Sequence, residues 1–149
     1  MMKFYFVCTG NTCRSPMAEK LFNESFQSVK ELFVADSFGL FPDSDTANKH
    51  SVKVMEEFGY DLLGFVPSSV EDKNPNKEDL LLTMTGDQRN YLKSMGYINV
   101  YTIYEFIGNE DYDIPDPYGQ SIQVYRDVRN ELDSLMETLY YRLIDYDAD

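Results

Sequence analysis

The sequence predicts an α/β fold, one domain built on a four-stranded parallel sheet with helices on both faces. Three observations predict it. Short runs of β-forming residues alternate with helical stretches along the chain, the pattern of βα units whose crossovers keep their strands parallel. The length of 149 residues matches one domain, so residues 1–149 read as a single unit. Hydrophobic residues make up 43% and charged residues 26% of the chain, close to the globular average, which supplies a core for the elements to share.

Each element has its own signal. Lys3–Cys8 (KFYFVC) is a short apolar run rich in β-formers and reads as the first strand. Thr9–Ser15 is a polar loop, and Pro16 suits the first turn of the helix after it. That helix runs from Met17 to about Val29, with Met17, Leu21 and Phe22 on one side. Leu32–Ala35 is the second strand, and Ser37–Ser44, containing Gly39 and Pro42, is a turn-rich link. Asp45 to about Phe58 reads as a helix closed by Gly59. Leu62–Asp79, with Gly64, Pro67 and Pro75, is loop with room for one short helix. Leu80–Met84 (LLLTM) is a buried strand, Asp87–Met95 a helix ended by Gly96, and Asn99–Ile103 the fourth strand. Gly108–Gly119, with Pro115 and Pro117, is a loop. From Ser121, Ile122, Tyr125, Val128, Leu132, Leu135, Leu139 and Leu143 recur at spacings of three and four, the mark of a long amphipathic helix. Its acidic end, Asp145–Asp149, is expected to fray.

Charge narrows the function. Thirteen basic residues stand against 26 acidic ones, a formal charge of −13. That balance argues against nucleic acid, which calls for a basic face, and against an anionic membrane surface. It leaves room for an anionic ligand, because a few oriented donors reverse the potential locally. There is no long apolar run of the kind a transmembrane helix needs, and MMKFYFVCTG is too soon interrupted for a signal peptide. The expected compartment is the cytoplasm. Two cysteines, Cys8 and Cys13, and one histidine, His50, are too few for a zinc finger or an iron–sulfur cluster. They form no secreted disulfide framework. With one histidine and no partner motif, a Ser-His-Asp or Cys-His arrangement is not expected, and His50 reads as a partly exposed residue near a helix start.

Ligands of parallel sheets bind beyond the carboxyl ends of the strands, so the loop after the first strand is the place to look. It reads Cys8-Thr9-Gly10-Asn11-Thr12-Cys13-Arg14-Ser15-Pro16. Backbone N–H groups of such a loop turn inward and, with the helix N-terminus, form a cradle for an oxyanion. Gly10 admits backbone angles that other residues resist. Arg14 adds a planar, bidentate contact to phosphate oxygens. Cys8 lies under the positive potential of these dipoles and of Arg14, surroundings that favour a nucleophilic thiolate without a histidine. Ser15 can donate a hydrogen bond to the sulfur. A buried, inert cysteine is the commoner fate of that residue type, but it leaves the accompanying Gly, Asn, Arg and Ser on a strand-to-helix turn without a reason.

Val7 to Pro16 resembles the signature loop of the low-molecular-weight protein tyrosine phosphatases, and the resemblance continues through Met17-Ala18-Glu19. A second motif, Asp116-Pro117-Tyr118-Gly119, stands where that family carries its catalytic acid. The resemblance covers nearly the whole chain and implies the same three-layer fold. It implies that Cys8 attacks phosphorus and forms a phosphocysteine. Asp116 then protonates the leaving group and later activates water, while Arg14 and the loop amides of Thr9 to Ser15 bind the phosphoryl group. No metal or other cofactor is called for. Pro117 stiffens its loop and Tyr118 forms a pocket wall. Asn11 shapes the loop through side-chain hydrogen bonds. Ser37 matches a family serine that binds this asparagine, though a plain turn serine explains it equally well. Cys13 is implied as the partner of Cys8 in a reversible disulfide that protects against overoxidation. One departure is clear: many relatives carry a histidine that braces the loop, and the matching position here is Phe65.

The implied partners are phosphoprotein substrates, with phosphate or other oxyanions in the loop. Tyrosine-directed relatives usually carry an aliphatic residue at the position of Thr12, whereas a branch similar to the bacterial protein arginine phosphatases carries threonine. A hydroxyl there can orient attack on a phosphoramidate or contact a guanidinium, so phosphoarginine is favoured and phosphotyrosine is the alternative. Arsenate reductase is a rival of another class on the same fold. Its thioredoxin-coupled form relays electrons through further cysteines, and this chain has none beyond Cys13. A non-catalytic phosphoprotein-binding module would be expected to lack the nucleophile or the acid, and both Cys8 and Asp116 are present.

Overall fold

The computed structural model describes residues 1–26, 32–108, 110 and 112–148. Four parallel strands form one sheet: β1 (Met2–Cys8), β2 (Phe33–Gly39), β3 (Leu81–Thr83) and β4 (Val100–Thr102), in the order β2-β1-β3-β4. Side chains alternate across the sheet with period two. Phe4, Phe6 and Cys8 therefore join one core, Tyr5 and Val7 the other. The first core packs against α1 (Arg14–Ser25), α2 (Lys49–Glu56), α5 (Ile103–Gly108) and α6 (Ile122–Ala148). The second packs against α3 (Val70–Lys73) and α4 (Gly86–Ser94). This is the expected three-layer arrangement. The chain leaves β1 toward α1 at the point where the strand order reverses, the switch position at which open α/β sheets bind ligands.

Several boundaries differ from the sequence reading. β2 continues to Gly39, so Ser37, Phe38 and Gly39 are strand and not link; they pair with Phe6, Val7 and Cys8 of β1. Pairing along the whole of β1 outweighs the turn tendency of Ser and Gly. α2 starts at Lys49, not Asp45, because the Asn48 side chain caps it by accepting from the His50 N–H at 2.8 Å. Gly59 closes the turn after it with φ of 81°, and the one short helix in the 62–79 stretch is α3. α5 was not expected. It carries a readable start, since the Glu105 N–H donates to Thr102 Oγ1 at 3.1 Å and the Glu105 carboxylate accepts from the Thr102 N–H at 3.2 Å. α6 continues as helix through the acidic end to Ala148, with Leu143 buried and the Tyr146 ring 5.5 Å from that of Phe106. The expected extension of the first helix over 27–29 and the final Asp149 lie outside the described residues. Among the described residues, no helix is long and apolar enough to cross a membrane.

Candidate active site

The loop from Thr9 to Cys13 wraps over the carboxyl end of β1, and its shape is set from behind. Asn11 holds the left-handed conformation, with φ of 55°, and its side chain is fully buried. The sequence reading gave the special backbone angle to Gly10. The structure gives it to Asn11, a residue that tolerates that region better than most, and Gly10 is not left-handed. Asn11 Nδ2 donates to Ser15 Oγ at 2.8 Å and to Ser37 Oγ at 3.0 Å, while its Oδ1 accepts from the Ser68 N–H at 2.9 Å. Every polar position that matters on this amide is thereby used, which is what a buried side-chain amide requires. The glycine the loop does need is Gly39. A Cβ there would lie 2.8 Å from the Thr9 carbonyl oxygen and 2.9 Å from the Asn11 nitrogen.

Cys8 Sγ sits at the base of the loop. It is 2.9 Å from Ser15 Oγ and accepts from the Asn11 N–H at 3.3 Å. Thr9 is tied at its hydroxyl, which accepts from Gln88 Nε2 at 3.1 Å. Cys13 is buried where α1 begins, with Tyr125 Oη 3.5 Å from its Sγ, and burial pushes its thiol up. Both cysteines are free. His50 is half-buried, its ring 5.1 Å from that of Tyr125, and takes no part in the cleft.

A second segment closes over the first. The Ile114 N–H donates to the Met84 carbonyl at 2.8 Å, anchoring the segment beyond β3. The Ile114 carbonyl accepts from Arg14 Nη1 at 2.8 Å. Arg14 is thus held at one nitrogen, and its Nη2 faces Asp116 Oδ2 across 3.8 Å. Asp116 folds its own turn, accepting from the Tyr118 N–H at Oδ1 (3.1 Å), with Gly119 left-handed after it.

Between the two segments lies a cleft of about 180 Å³, lined by Cys8, Thr9, Gly10, Thr12, Cys13 and Arg14 on one side. Phe41, Asp43, Asp116 and Tyr118 form its mouth. Phe41 is steadied by the Tyr91 ring, 5.4 Å away. The sequence-predicted residues thus divide. Thr9, Gly10, Thr12, Cys13, Arg14, Asp116 and Tyr118 join Cys8 in the cleft, whereas Asn11, Ser15 and Ser37 lie buried behind it. Phe65 does not brace the loop. It borders a shallow cleft with Glu19 and Leu62, and Ser37 and the Ser68 backbone satisfy Asn11 instead.

Phe41, Asp43, Gln88, Ser68 and Glu19 were not foreseen. Gln88 alone had a local signal, the Thr85-x-x-Gln88 capping box that starts α4, but that signal does not reveal the reach to Thr9. Glu19 lies in the Met-Ala-Glu run already noted. Chemically, the arrangement brings into one cleft a sulfur that accepts from a loop amide, a buried guanidinium and, 3.8 Å from that guanidinium, a solvent-facing carboxylate. A nucleophile, a cation and a proton-exchanging group are the parts that reaction at a tetrahedral oxyanion calls for.

The profile described as low molecular weight phosphotyrosine protein phosphatase matches residues 3–147. The protein-arginine-phosphatase of Bacillus subtilis (strain 168) is 34% identical over 146 residues, covering 95% of this chain and 97% of that one. The low molecular weight protein-tyrosine-phosphatase PtpB of Staphylococcus epidermidis is 31% identical over 147 residues, covering 95% and 99%. Among solved structures, the YwlE arginine phosphatase, as a cysteine-to-serine mutant with phosphorylated active site serine, superposes with a TM-score of 0.84. It is 34% identical and covers 95% of each chain.

Proposed function

This chain belongs to the low molecular weight phosphotyrosine protein phosphatase family, and from that membership we propose that it hydrolyses phosphorylated protein side chains, phosphoarginine in preference to phosphotyrosine. The observation that carries the chemistry is Cys8 Sγ at the base of the loop, accepting from the Asn11 N–H, in one cleft with Arg14 and Asp116, which face one another 3.8 Å apart. The phosphoryl group seats in the loop, its charge met by the backbone amides and by Arg14. The Cys8 thiolate attacks phosphorus, and the bond from phosphorus to the leaving side chain breaks as the P–S bond forms. Asp116 gives its proton to the leaving atom. That proton matters for a phenoxide, whose conjugate acid has a pKa of about 10, and more so for a guanidine nitrogen. The side chain departs. Asp116, now a carboxylate, takes a proton from water as its oxygen attacks phosphorus, which releases phosphate and restores Cys8.

The substrate preference rests on Thr12, which lines the cleft beside Cys8, and on the likeness to the arginine phosphatase of Bacillus subtilis. Asp43 and Asp116 both stand at the mouth, and two carboxylates there suit a cationic leaving side chain. Phosphate release from matched phosphoarginine and phosphotyrosine peptides, with Cys8→Ser as the blank, tests the proposal. Faster release from phosphoarginine supports it. Faster release from phosphotyrosine keeps the mechanism and overturns the substrate. Release from neither, with reduction of arsenate in the presence of thiols, would move the chain to the reductase class.

A further inference from the structure

The hydrogen bonds behind the loop do not end at Ser37. Its hydroxyl donates to Glu19 Oε1 at 2.7 Å while accepting from Asn11 Nδ2 at 3.0 Å. The Ser37 hydroxyl has one proton, and it is committed to Glu19 Oε1, so toward Asn11 this oxygen can only accept. Asn11 has two amide protons and gives one to each serine. Ser15 Oγ, already receiving a proton from Asn11, is left with its own for Cys8 Sγ at 2.9 Å. Donation therefore spreads from the Asn11 amide in two branches, through Ser37 to Glu19 and through Ser15 to Cys8. Ser68 fixes the other side of the Asn11 amide through its N–H. Phe65, which borders Glu19, brings no polar group to it.

We propose that Glu19 is a positioning residue for the nucleophile: by accepting from Ser37 it holds the Asn11 amide in place and leaves the Ser15 hydroxyl aimed at Cys8 Sγ. This rests on the reading of Cys8 as the nucleophile. The coupling is one of orientation: with the Ser37 proton committed to Glu19, its lone pair faces Asn11, and the amide so fixed occupies the Ser15 lone pair and leaves the Ser15 proton for Cys8. Burial pushes Glu19 up to about 7, against the pull of the Ser37 hydrogen bond. The charged groups facing it are Lys20 on α1, Asp36 on β2, Lys73 on α3 and Asp61 in the segment that carries Phe65. Asp36 is itself paired with Lys73 at 3.1 Å and Lys3 at 3.3 Å, which tempers its repulsion.

The test reads Cys8 directly and needs no phosphorylated substrate, so it stands apart from the substrate question. The full chain and its Glu19→Ala, Ser37→Ala and double variants are alkylated with iodoacetamide across pH, and modification is followed at Cys8 by peptide mass mapping. Thermal melts check that each variant is folded. Each single variant is expected to move the pH midpoint of alkylation up by about one unit, a tenfold loss of thiolate below it. The double variant is expected to move it no further than Ser37→Ala alone, because both cuts fall in one chain. An unmoved midpoint in Glu19→Ala overturns the proposal, and so does a double variant whose shift is the sum of the singles. If Glu19→Ala does not fold, Glu19→Gln is read instead. Its weaker acceptor should give a smaller shift in the same direction, and no shift counts against the proposal.

Discussion

The two segments that meet at the cleft are built on opposite plans. The loop after β1 is locked: Asn11 and Ser15 are fully buried, and their bonds run to Ser37, Ser68 and Cys8. The segment that carries Asp116 is pinned at Ile114 and again by the buried Pro117, and its other side chains stand in solvent, with 57% of the Asp116 side chain and 72% of Tyr118 exposed. Under the proposed mechanism, the difference follows from what each must do. An anion cradle is effective only if its donors already point inward when charge develops, since reorienting them later costs the energy they would provide. An acid that serves as base in the next step must exchange protons with water and meet leaving groups of differing shape.

The contrast can be broken in order of expected effect. Cys8→Ser should lower kcat by about 10⁴-fold or more, as loss of a nucleophile does elsewhere, while oxyanion binding, measured by calorimetry with inorganic phosphate, persists because the amides remain. Retained turnover would remove Cys8 from its role. Asp116→Asn should slow poor leaving groups by about 10²–10⁴-fold and good ones far less. Rates across a series of aryl phosphates check this, and equal slowing along the series would sink the acid assignment. Gly39→Ala acts on the locked side without touching a reacting group. Its Cβ would force apart backbone atoms less than 3 Å away, and a displacement of about 1 Å in a reacting loop can cost about 10²-fold. A folded Gly39→Ala enzyme with unchanged kcat would show that the loop is more compliant than its hydrogen bonds imply. The smallest effect belongs to Thr12→Ile, which should shift the ratio of kcat/KM on phosphoarginine to phosphotyrosine peptides roughly tenfold toward phosphotyrosine. An unchanged ratio would leave Thr12 without a part in selection.

The same two segments explain what could be read in advance. Cys8 to Ser15 is contiguous, so the loop stands out as a string of residue types, whereas Asp116-Pro117-Tyr118-Gly119 stands out only through the family resemblance. The boundary errors were local signals outvoted or overlooked. Ser37 and Gly39 looked like a turn and became strand because β1 offers partners over its whole length. The Thr102-x-x-Glu105 cap was present in the sequence and went unread. Gly10 was given the strained angle that Asn11 holds.

By itself, leaving aside the family resemblance that singled out Asp116, the sequence determined the class of fold and the run of residue types from Cys8 to Ser15. These depend on periodicity and on neighbours within a few residues, which chain connectivity alone places together. Only the tertiary structure decided which residues support them. The family resemblance pointed to Ser37, but Ser68 reaches Asn11 from 57 positions away and Gln88 reaches Thr9 from 79. Such partners have no spacing rule. They meet because parallel strands lay their carboxyl ends side by side, and the buried polar groups gathered there must find one another or lose their hydrogen bonds to water without replacement.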